Sequence, residues 1–500
     1  MGLESILIGV EVDVATKGFP GFNIVGLPTK SVEESKERVK TAIINSGFEF
    51  PQKKITVNLA PGDIAKEGSF YDLPIAIGIL LASGEIDPDS IGVKSIYFGE
   101  LSLDGNVRHT RGVLLVGLFA KNRGFEEVYV PIESSAEAAV VSGISVIPVR
   151  NLMELVEHLR GIKLIEPLTT IDISKLVVEA SADFDFAEIS GQENAKRAMI
   201  VAASGGHNIL LSGPPGSGKT MLARALPSIL PPLLPAEALE VTGIYSAVGM
   251  MAPGEAIVRT RPYRCPHHST SLVGLIGGGS KPMPGEVSLA HLGVLFLDEM
   301  AEFPRSVLES IRQPMEDGKV TVSRAAGRLE FPASFMLVAA VNPCPCGYLG
   351  HPKKECKCGI HAIEKYKRRI SGPILDRIDL HVHVPPVEVS ALNGNDQVSI
   401  INSQKIREQV TQARQMQFKR FADDGIYCNA QMRNKLVKKY CPLEGEGNRL
   451  LKMAVDKYDL SARGYFRILK VARTIADLNS REQITTGDIA EALQYRVRVF

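Results

Sequence analysis

The 500-residue sequence has no apolar run long enough to cross a membrane. Its longest uninterrupted apolar stretches, residues 73–82 and 112–120, reach about ten residues, whereas a membrane-spanning helix needs about twenty. The start of the chain also lacks the basic region of a secretory signal, because Glu4 stands where such a signal is positively charged. We therefore expect a cytoplasmic protein that does not contact membranes.

The sequence also lacks an excess of either charge. Its 57 basic and 56 acidic side chains give a net charge of +1, which excludes a histone-like polycation but permits local basic patches.

Cysteine is scarce: the chain has seven, and this odd number argues against a disulfide framework. No internal repeat is present. At about 150 residues per domain, the length indicates roughly three domains.

Strand and helix patterns divide the chain into three parts and a linker. Residues 1–165 alternate between strands and helices, with a hairpin over 95–105, and predict an α+β domain. Residues 166–188 have weak periodicity and are typical of a linker. Residues 189–386 contain four apolar strands separated by helices, which predicts an α/β domain with a mostly parallel sheet. Residues 390–500 are charged and predict a helical bundle, so the fold class is multidomain α/β.

A glycine-rich loop follows the apolar strand at residues 208–211 and precedes a helix. Its spacing, G-x-x-x-x-G-K-T, is typical of a phosphate-binding loop, because backbone N–H groups next to glycines can wrap phosphates. Lys219 is expected to contact the β- and γ-phosphates of ATP, and Thr220 to bind Mg²⁺. The predicted nucleotide-binding residues of the loop are Gly213, Pro214, Pro215, Gly216, Ser217, Gly218, Lys219 and Thr220.

Polar residues also end two later strands. Asp298 and Glu299 come directly after the apolar residues 293–297, so Asp298 is expected to hold Mg²⁺ and Glu299 to deprotonate the attacking water. Asn342 ends the strand at residues 335–341 and is expected to lie between the other two strand ends. These residues predict hydrolysis of ATP with Mg²⁺ as the cofactor.

The motifs resemble those of AAA+ ATPases and, in detail, the ComM/YifB family of magnesium-chelatase-like ATPases. The segments that carry the resemblance are RPYRCPHH at 261–268, GGGSKPMPGE at 277–286, SLAH at 288–291, NPCPCG at 342–347, SGPILDRIDL at 371–380 and LSARG at 460–464. The resemblance covers essentially the whole chain. It implies a hexameric ring that acts on DNA as a helicase and branch-migration factor during recombination of incoming DNA in natural transformation. Proteins of the recombination pathway would be further partners.

The resemblance also implies roles for single residues. Asn342 would be sensor 1, and Arg377 would be an arginine finger that reaches the ATP of a neighbouring subunit. Arg463 would be sensor 2 in the helical lid and would contact the γ-phosphate of its own chain. Gln192 lies in a segment similar to the one that holds adenine. Without the resemblance, Arg377 reads as a surface arginine salt-bridged to the aspartates that flank it.

Two insertions of the ATPase domain are candidates for DNA contact. By the resemblance, a helix-2 insert at 243–287 and a hairpin before sensor 1 at 318–331 project into the pore of the ring. Basic side chains in such a channel bind phosphates without reading sequence. The alternative is a solvated basic face or a structural hairpin. The candidate DNA-binding residues are Arg261, Arg264, Lys281, Arg324 and Arg328.

Four cysteines lie in a further insert, at residues 343–370, as two C-x-C pairs nine residues apart. In a reducing cytoplasm four soft thiolates favour tetrahedral Zn²⁺ over disulfides. The alternative is a set of reduced cysteines in an ordered loop. The candidate zinc ligands are Cys344, Cys346, Cys356 and Cys358.

Residues 1–165 are similar to the proteolytic domain of Lon, whose fold is shared with a ribosomal protein. Lon-type catalysis needs a serine nucleophile and a lysine base, and the aligned positions hold Phe70 and Leu114 here. Ser69 is adjacent but has no lysine partner in the pattern, so we expect a catalytically degenerate domain. Two alternatives to a DNA motor stay open: a protein-remodelling ATPase of the magnesium-chelatase type, and an ATP-dependent Lon-like protease.

Overall fold

The computed structural model describes residues 3, 5–177, 185–279, 282–324, 327–386, 403–458 and 460–496. The chain divides into two compact units. The first consists of Met1–Val177 and Leu234–Val258, and the second of Val178–Leu233 and Arg259–Phe500. Within the described ranges, no helix combines the length and the apolar character that a membrane span requires.

Up to Val177 the chain alternates between short strands and helices. The strands are β1 (Gly9–Val14), β2 (Gly21–Val25), β3 (Lys54–Ala60), β4 (Ser95–Tyr97), β5 (Glu100–Leu101), β6 (Val107–Arg108), β7 (Glu127–Pro131) and β8 (Ser145–Val149). The helices are α1 (Lys30–Glu33), α2 (Ser35–Asn45), α3 (Asp72–Ala82), α4 (Val113–Arg123), α5 (Ser135–Ala139), α6 (Leu152–Leu159) and α7 (Ile173–Leu176).

The later part of the chain contains longer helices. Its strands are β9 (Ile209–Ser212), β10 (Tyr263–Arg264), β11 (Gly277–Gly278), β12 (Met283–Pro284), β13 (Val294–Leu297), β14 (Lys319–Arg324), β15 (Gly327–Pro332), β16 (Met336–Val341) and β17 (Leu380–His383). Its helices are α8 (Glu193–Gly205), α9 (Lys219–Ile229), α10 (Pro235–Val248), α11 (Leu272–Ile276), α12 (Glu286–Leu289), α13 (Arg305–Ser310), α14 (Arg312–Asp317), α15 (Ile360–Lys367), α16 (Gly372–Leu375), α17 (Ser403–Arg420), α18 (Asn434–Tyr440), α19 (Gly445–Tyr458), α20 (Ala462–Leu478) and α21 (Thr486–Gln494).

The first unit contains two small three-stranded sheets. In one, β3 lies between β1, which is antiparallel to it, and β2, which is parallel. In the other, β7 lies between β4 and β8, and all three strands are parallel. The hairpin expected over 95–105 is wrong in its pairing, because β4 pairs with β7 and the hairpin joins β5 to β6. Tyr97 stacks on Tyr129 at 4.5 Å across the β4–β7 pair, a long-range contact that the local pattern does not contain.

The second unit is built on a five-stranded parallel sheet with the strand order β10-β13-β16-β9-β17. Strands β9, β13 and β16 are buried at every position, as expected of central strands covered on both faces. The predicted α/β class with a mostly parallel sheet is therefore confirmed. The two-residue strand β10 was not expected, because it is too short to show a pattern. Since all five strands run the same way, the residues after their carboxyl ends meet at one edge.

Helices α17–α21 form the helical C-terminal region that the sequence predicts. Helix α20 packs on α8, α17 and α21. It carries a buried ion pair between Arg473 and Asp477 at 3.0 Å, and Arg420 on α17 donates to the same aspartate at 2.5 Å. A buried carboxylate needs such partners, so this network fixes α17 against α20.

The segment Leu234–Val258 belongs to the first unit although it follows α9 in sequence. Its helix α10 packs on α4, and the carbonyl of Ser246 accepts a hydrogen bond from the N–H of Gly112 at 2.9 Å. The hydroxyl of Ser246 donates to the Glu137 carboxylate, and burial raises the pKa of that carboxyl. The predicted helix-2 insert at 243–287 is thus divided between the two units after Val258.

The predicted linker at 166–188 is partly built into the units it joins. In the first unit, the N–H of Leu168 donates to the carbonyl of Val146 at 2.8 Å. In the second, Phe186 is buried in the hydrophobic core. Residues 178–184 lie outside the described residues.

Candidate functional site

One edge of the parallel sheet collects the residues that follow three of its strands. Gly213 follows β9, Asp298 follows β13 and Asn342 follows β16. The loop that starts at Gly213 leads into α9, so the free N–H groups at the start of that helix face the loop. Gly213 must lack a side chain, because a Cβ there would lie 2.1 Å from the carbonyl oxygen of Val384. The fold therefore presses the phosphate loop against the end of β17.

Lys219 is buried inside this loop. Its ammonium donates to the carbonyl oxygens of Gly213 at 2.8 Å and Pro214 at 2.9 Å, and to Oδ1 of Asn342 at 3.3 Å. Burial lowers the pKa of Lys219, and nearby carboxylates, Asp298 first among them, oppose that shift. A lysine held in this way can exchange the loop carbonyls for the β- and γ-phosphates of ATP.

Thr220 and Asp298 face each other beside the loop. The Thr220 hydroxyl donates to Oδ2 of Asp298 at 3.0 Å, and oxygen atoms of these two kinds are the ligands that Mg²⁺ takes in P-loop ATPases. The N–H of Glu299 donates to Oδ1 of the same aspartate at 3.0 Å, and Glu299 has a φ of +50°. This backbone conformation costs a non-glycine residue about 1–3 kcal/mol. The strained turn leaves the Glu299 carboxylate exposed, where it can act on water.

Gln192 braces the phosphate loop from another side. Its Nε2 donates to the carbonyl oxygens of Ser217 at 3.3 Å and Pro385 at 2.6 Å. Within the part of the chain that the structure describes, Oε1 of Gln192 and the Ser217 hydroxyl are buried without a hydrogen-bond partner. Buried polar atoms normally have partners, and a bound nucleotide can supply them. The residues present therefore fit ATP.

Two arginines predicted to act on ATP meet at one carboxylate. Oε1 of Glu316, on α14, lies 2.7 Å from Nη2 of Arg377 and 3.9 Å from Nη2 of Arg463. The side chain of Arg377 is only 6% exposed, whereas that of Arg463 is 60% exposed. The structure thus brings together two arginines that, by the family resemblance, were expected to contact different ATP molecules.

Arg377, and with it Glu316 and Arg463, lies at the end of the sheet opposite the phosphate loop. Its carbonyl accepts a hydrogen bond from the side-chain amide of Asn208 at 3.2 Å, and Asn208 directly precedes β9. The phosphate loop leaves the other end of β9, about 13 Å away at about 3.3 Å per residue. Arg463 therefore lies beside the expected finger Arg377 and not at the phosphates of its own chain.

The four candidate zinc ligands form one cluster. Their sulfur atoms all lie within 4.8 Å of one another, and Sγ of Cys344 is 3.4 Å from that of Cys346 and 3.6 Å from that of Cys356. A tetrahedral zinc site with Zn–S bonds of about 2.3 Å has sulfur atoms about 3.8 Å apart. The thiols therefore fit zinc, and we call residues 343–358 the cysteine knuckle.

The cysteine knuckle touches the phosphate loop. Gly347 has a φ of +81°, and a Cβ at this position would lie 2.6 Å from Cδ of Pro215. The knuckle begins directly after Asn342, which follows the end of β16. The knuckle therefore lies directly against the predicted phosphate-binding loop.

Family profiles match most of the chain. The profile described as magnesium chelatase, subunit ChlI, matches residues 185–392. One described as subunit ChlI of Mg-chelatase matches residues 10–134, and one described as magnesium chelatase, subunit ChlI C-terminal, matches residues 401–496. The matched ranges include the phosphate loop, Asp298, Arg377 and Arg463.

Full-length relatives decide the family. The competence protein ComM of Haemophilus influenzae is 41% identical over 502 residues, which cover 100% of this chain and 96% of the relative. The chain belongs to the ComM/YifB family. YifB of Escherichia coli is 39% identical over 496 residues, or 99% of this chain and 95% of YifB. The 38 kDa magnesium-chelatase subunit of Rhodobacter capsulatus is 30% identical over 179 residues, or 32% of this chain and 50% of that subunit.

Membership of the ComM/YifB family confirms the resemblance expected from the sequence. The chain is a magnesium-chelatase-like AAA+ protein, and its family implies an ATPase that uses ATP and Mg²⁺. The residues that the sequence predicts to bind ATP and Mg²⁺, Lys219, Thr220 and Asp298, lie together at the edge of the sheet.

Two of the predicted DNA contacts in this ComM/YifB chain are bound to other groups of the second unit. Arg261 donates to the carbonyl oxygens of Pro231 and Leu292, each at 2.7 Å. Arg264 forms a two-pronged ion pair with Glu286 at 2.6 and 2.8 Å. Both guanidinium groups therefore have partners within the second unit, and their contact with DNA stays a prediction.

The predicted hairpin at 318–331 is formed by β14 and β15. Arg328 on β15 is 66% exposed and lies 3.2 Å from Glu330, which also pairs with Lys319 at 2.8 Å. Arg324 ends β14, but its side chain, like the whole of Lys281, lies outside the described residues. Among the candidate DNA contacts whose side chains the structure describes, Arg328 is the most exposed.

The positions aligned with the Lon dyad are filled by apolar packing. Phe70 stacks on Phe98 at 4.8 Å, and Leu114 is completely buried. The hydroxyl of Ser69 donates to the carboxylate of Glu100. A serine bonded to a carboxylate has a partner other than the lysine that a Lon-type nucleophile needs.

Sequence reasoning missed Glu316 and Gly347 as parts of the site. Glu316 has a role only because residues 377 and 463 fold against it. Gly347 matters through its contact with Pro215, far away in sequence. Neither contact leaves a local motif, so the sequence held no signal for them.

Proposed function

We propose that the chain is a hexameric, ATP-driven DNA motor that acts as a helicase and branch-migration factor in the recombination of incoming DNA during natural transformation. The proposal rests on one observation: the residues predicted to bind ATP and the arginines predicted to act on its phosphates lie at opposite ends of the sheet. Lys219 and Asp298 lie at one edge of the sheet, and Arg377 and Arg463 lie at the other. A site with all four therefore needs a second copy of the chain, as in a ring.

In this proposal each subunit binds ATP and the next subunit completes the site. Lys219 binds the phosphates, Glu299 takes a proton from the attacking water, and Asn342 orients that water. Arg377 and Arg463 of the next copy stabilise the charge that develops on the phosphates. Guanidinium groups suit this task because they are always charged and can bond two oxygen atoms at once.

Support for DNA as the substrate comes from exposed basic groups on the second unit. The β14–β15 hairpin presents Arg328, and the cysteine knuckle presents Lys353, Lys354 and Lys357. Such groups bind the phosphate backbone without sequence preference. The name of the Haemophilus influenzae relative refers to competence, which agrees with a role in natural transformation.

Replacing Arg328 with alanine is expected to weaken the binding of single-stranded DNA about tenfold and to reduce the slope of log affinity against log salt by about one per lost phosphate contact. Fluorescence anisotropy with labelled oligonucleotides at several salt concentrations measures both. Arg123→Ala removes an exposed arginine of the first unit and should change neither. Equal affinities and equal salt slopes for Arg328→Ala and wild type would remove the hairpin from the DNA path.

The same proposal includes a structural zinc ion in the cysteine knuckle. Zinc would be held by Cys344, Cys346, Cys356 and Cys358, whose sulfur spacing fits tetrahedral coordination. The ion would fix the knuckle against the phosphate loop and take no part in ATP hydrolysis.

A protein-remodelling ATPase of the magnesium-chelatase type is the second candidate function. It is favoured by the three family descriptions, all of which name the chelatase subunit ChlI. Because one of them matches residues 10–134, the presence of the first unit does not argue against this candidate. The two functions differ in one measurable respect: only a DNA motor hydrolyses ATP faster when DNA is added.

A further inference from the structure

Glu316 is the carboxylate that contacts both arginines predicted to act on ATP. Its carboxylate contacts the guanidinium of Arg377 at 2.7 Å and that of Arg463 at 3.9 Å. A carboxylate and a phosphate bind arginine through the same oxygen geometry. Arg377, Arg463 and Glu316 together carry a net charge of +1. They therefore attract a further anion less strongly than the two arginines would without Glu316.

Arg377 is withheld from the surface in the single chain. Nη1 donates to the carbonyl of Pro373 at 2.8 Å, Nη2 contacts Glu316, and only 6% of the side chain is exposed. Glu316 itself is 43% exposed. The carboxylate that holds Arg377 is therefore open to solvent, whereas the arginine that would have to touch another subunit's ATP is not.

The backbone around Arg377 is firmly anchored, which confines movement to its side chain. The carbonyl of Arg377 accepts hydrogen bonds from Asn208 at 3.2 Å and from Arg467 at 2.8 Å. Two residues further along, the carboxylate of Asp379 is buried and is paired with His207 at 3.3 Å. Because these contacts fix the main chain, release of Arg377 requires only that its guanidinium leave Glu316 and Pro373.

We propose that Glu316 is a latch that holds Arg377 inside the separate subunit and yields it to the triphosphate of a second copy. The inference rests on the proposed function, in which Arg377 acts on a neighbour's ATP. A triphosphate carries several negative charges against the single charge of Glu316, so it can compete for the guanidinium. Arg463, 60% exposed on the same carboxylate, makes the first contact, and Arg377 follows. The latch keeps ATP hydrolysis low until subunits are assembled on ATP.

Replacing Glu316 with glutamine tests the latch, because it removes the charge and keeps the size. We expect ATP hydrolysis without DNA to rise about fivefold, and half-maximal assembly with a non-hydrolysable ATP analogue to occur at a correspondingly lower protein concentration. Steady-state phosphate release and light scattering measure the two effects. The double variant Glu316→Gln/Arg377→Ala should hydrolyse ATP no faster than Arg377→Ala, since the latch acts through Arg377.

A matched control is offered by Glu491, which holds Arg197 at 2.8 and 3.3 Å. Glu491→Ala breaks an ion pair of the second unit outside the latch and should not raise hydrolysis. If Glu316→Gln leaves hydrolysis unchanged or lowers it while Arg377→Ala is inactive, the latch is refuted and the arginine finger stands. If Arg377→Ala hydrolyses ATP at the wild-type rate, the trans-acting site of the proposed function fails as well.

Discussion

Replacing Glu299 with glutamine is expected to leave ATP bound while turnover falls by a factor of about 100 or more, the usual contribution of a general base. The amide cannot accept the proton of the attacking water, but the phosphate contacts of Lys219 and the Thr220–Asp298 pair do not depend on Glu299. Binding of a fluorescent ATP analogue and steady-state phosphate release separate the two effects.

Glu302 provides the matched control for Glu299. It lies three residues further on, is 41% exposed and pairs with Arg369 at 2.5 Å. Glu302→Gln makes the same chemical change beside the site and should keep turnover within about twofold, as surface ion pairs contribute little. Wild-type turnover in Glu299→Gln would show that another group accepts the proton.

Replacing Gly347 with alanine is expected to weaken ATP binding about tenfold, because a Cβ 2.6 Å from Pro215 must displace the phosphate loop. Gly350 lies in the same cysteine knuckle, has a similar φ of +76° and has no atom within 4 Å of its Cβ position. Both substitutions carry the backbone strain of a left-handed residue, so their difference isolates the contact with Pro215. Isothermal titration with a non-hydrolysable ATP analogue measures it.

Removal of zinc should act through the same contact. A chelator that strips the metal from the wild-type protein, checked by elemental analysis, is expected to weaken ATP binding to the level of Gly347→Ala. Structural zinc fixes the loops that hold it, and Cys344 lies close to the residue that touches Pro215. If Gly347→Ala, Gly350→Ala and the metal-free protein all bound ATP as tightly as the wild-type protein does, the knuckle would have no influence on the nucleotide site.

The ATP site could be predicted because its parts are local. A buried parallel strand is a short apolar run, and its functional residue follows at once, as Asp298 follows β13 and Asn342 follows β16. Where such strands run in parallel, their ends meet. Four strands and the cluster of Lys219, Thr220, Asp298 and Asn342 could therefore be inferred without coordinates.

Features that depend on distant contacts could not be predicted. Helix α10 has an apolar pattern that either unit could bury, and only its packing on α4 assigns it to the first. The basic character of Arg261 and Arg264 suggested DNA, but partners remote in sequence hold both of them. Arg463 was expected at the phosphates of its own chain, and the structure places it beside Glu316 instead. In each case a residue's type indicated its chemistry, and the fold determined its partner.

The central claim, that this ComM/YifB chain is a DNA motor, is tested most directly by steady-state ATP hydrolysis with and without DNA. Single-stranded DNA and a four-way junction serve as the two DNA ligands, and Lys219→Ala, which lacks the ammonium of the phosphate loop, serves as the blank. The account predicts that DNA strongly stimulates hydrolysis by the wild-type protein and has no effect on the blank. Hydrolysis that is the same with every DNA would contradict the account and favour a protein-remodelling motor of the chelatase type.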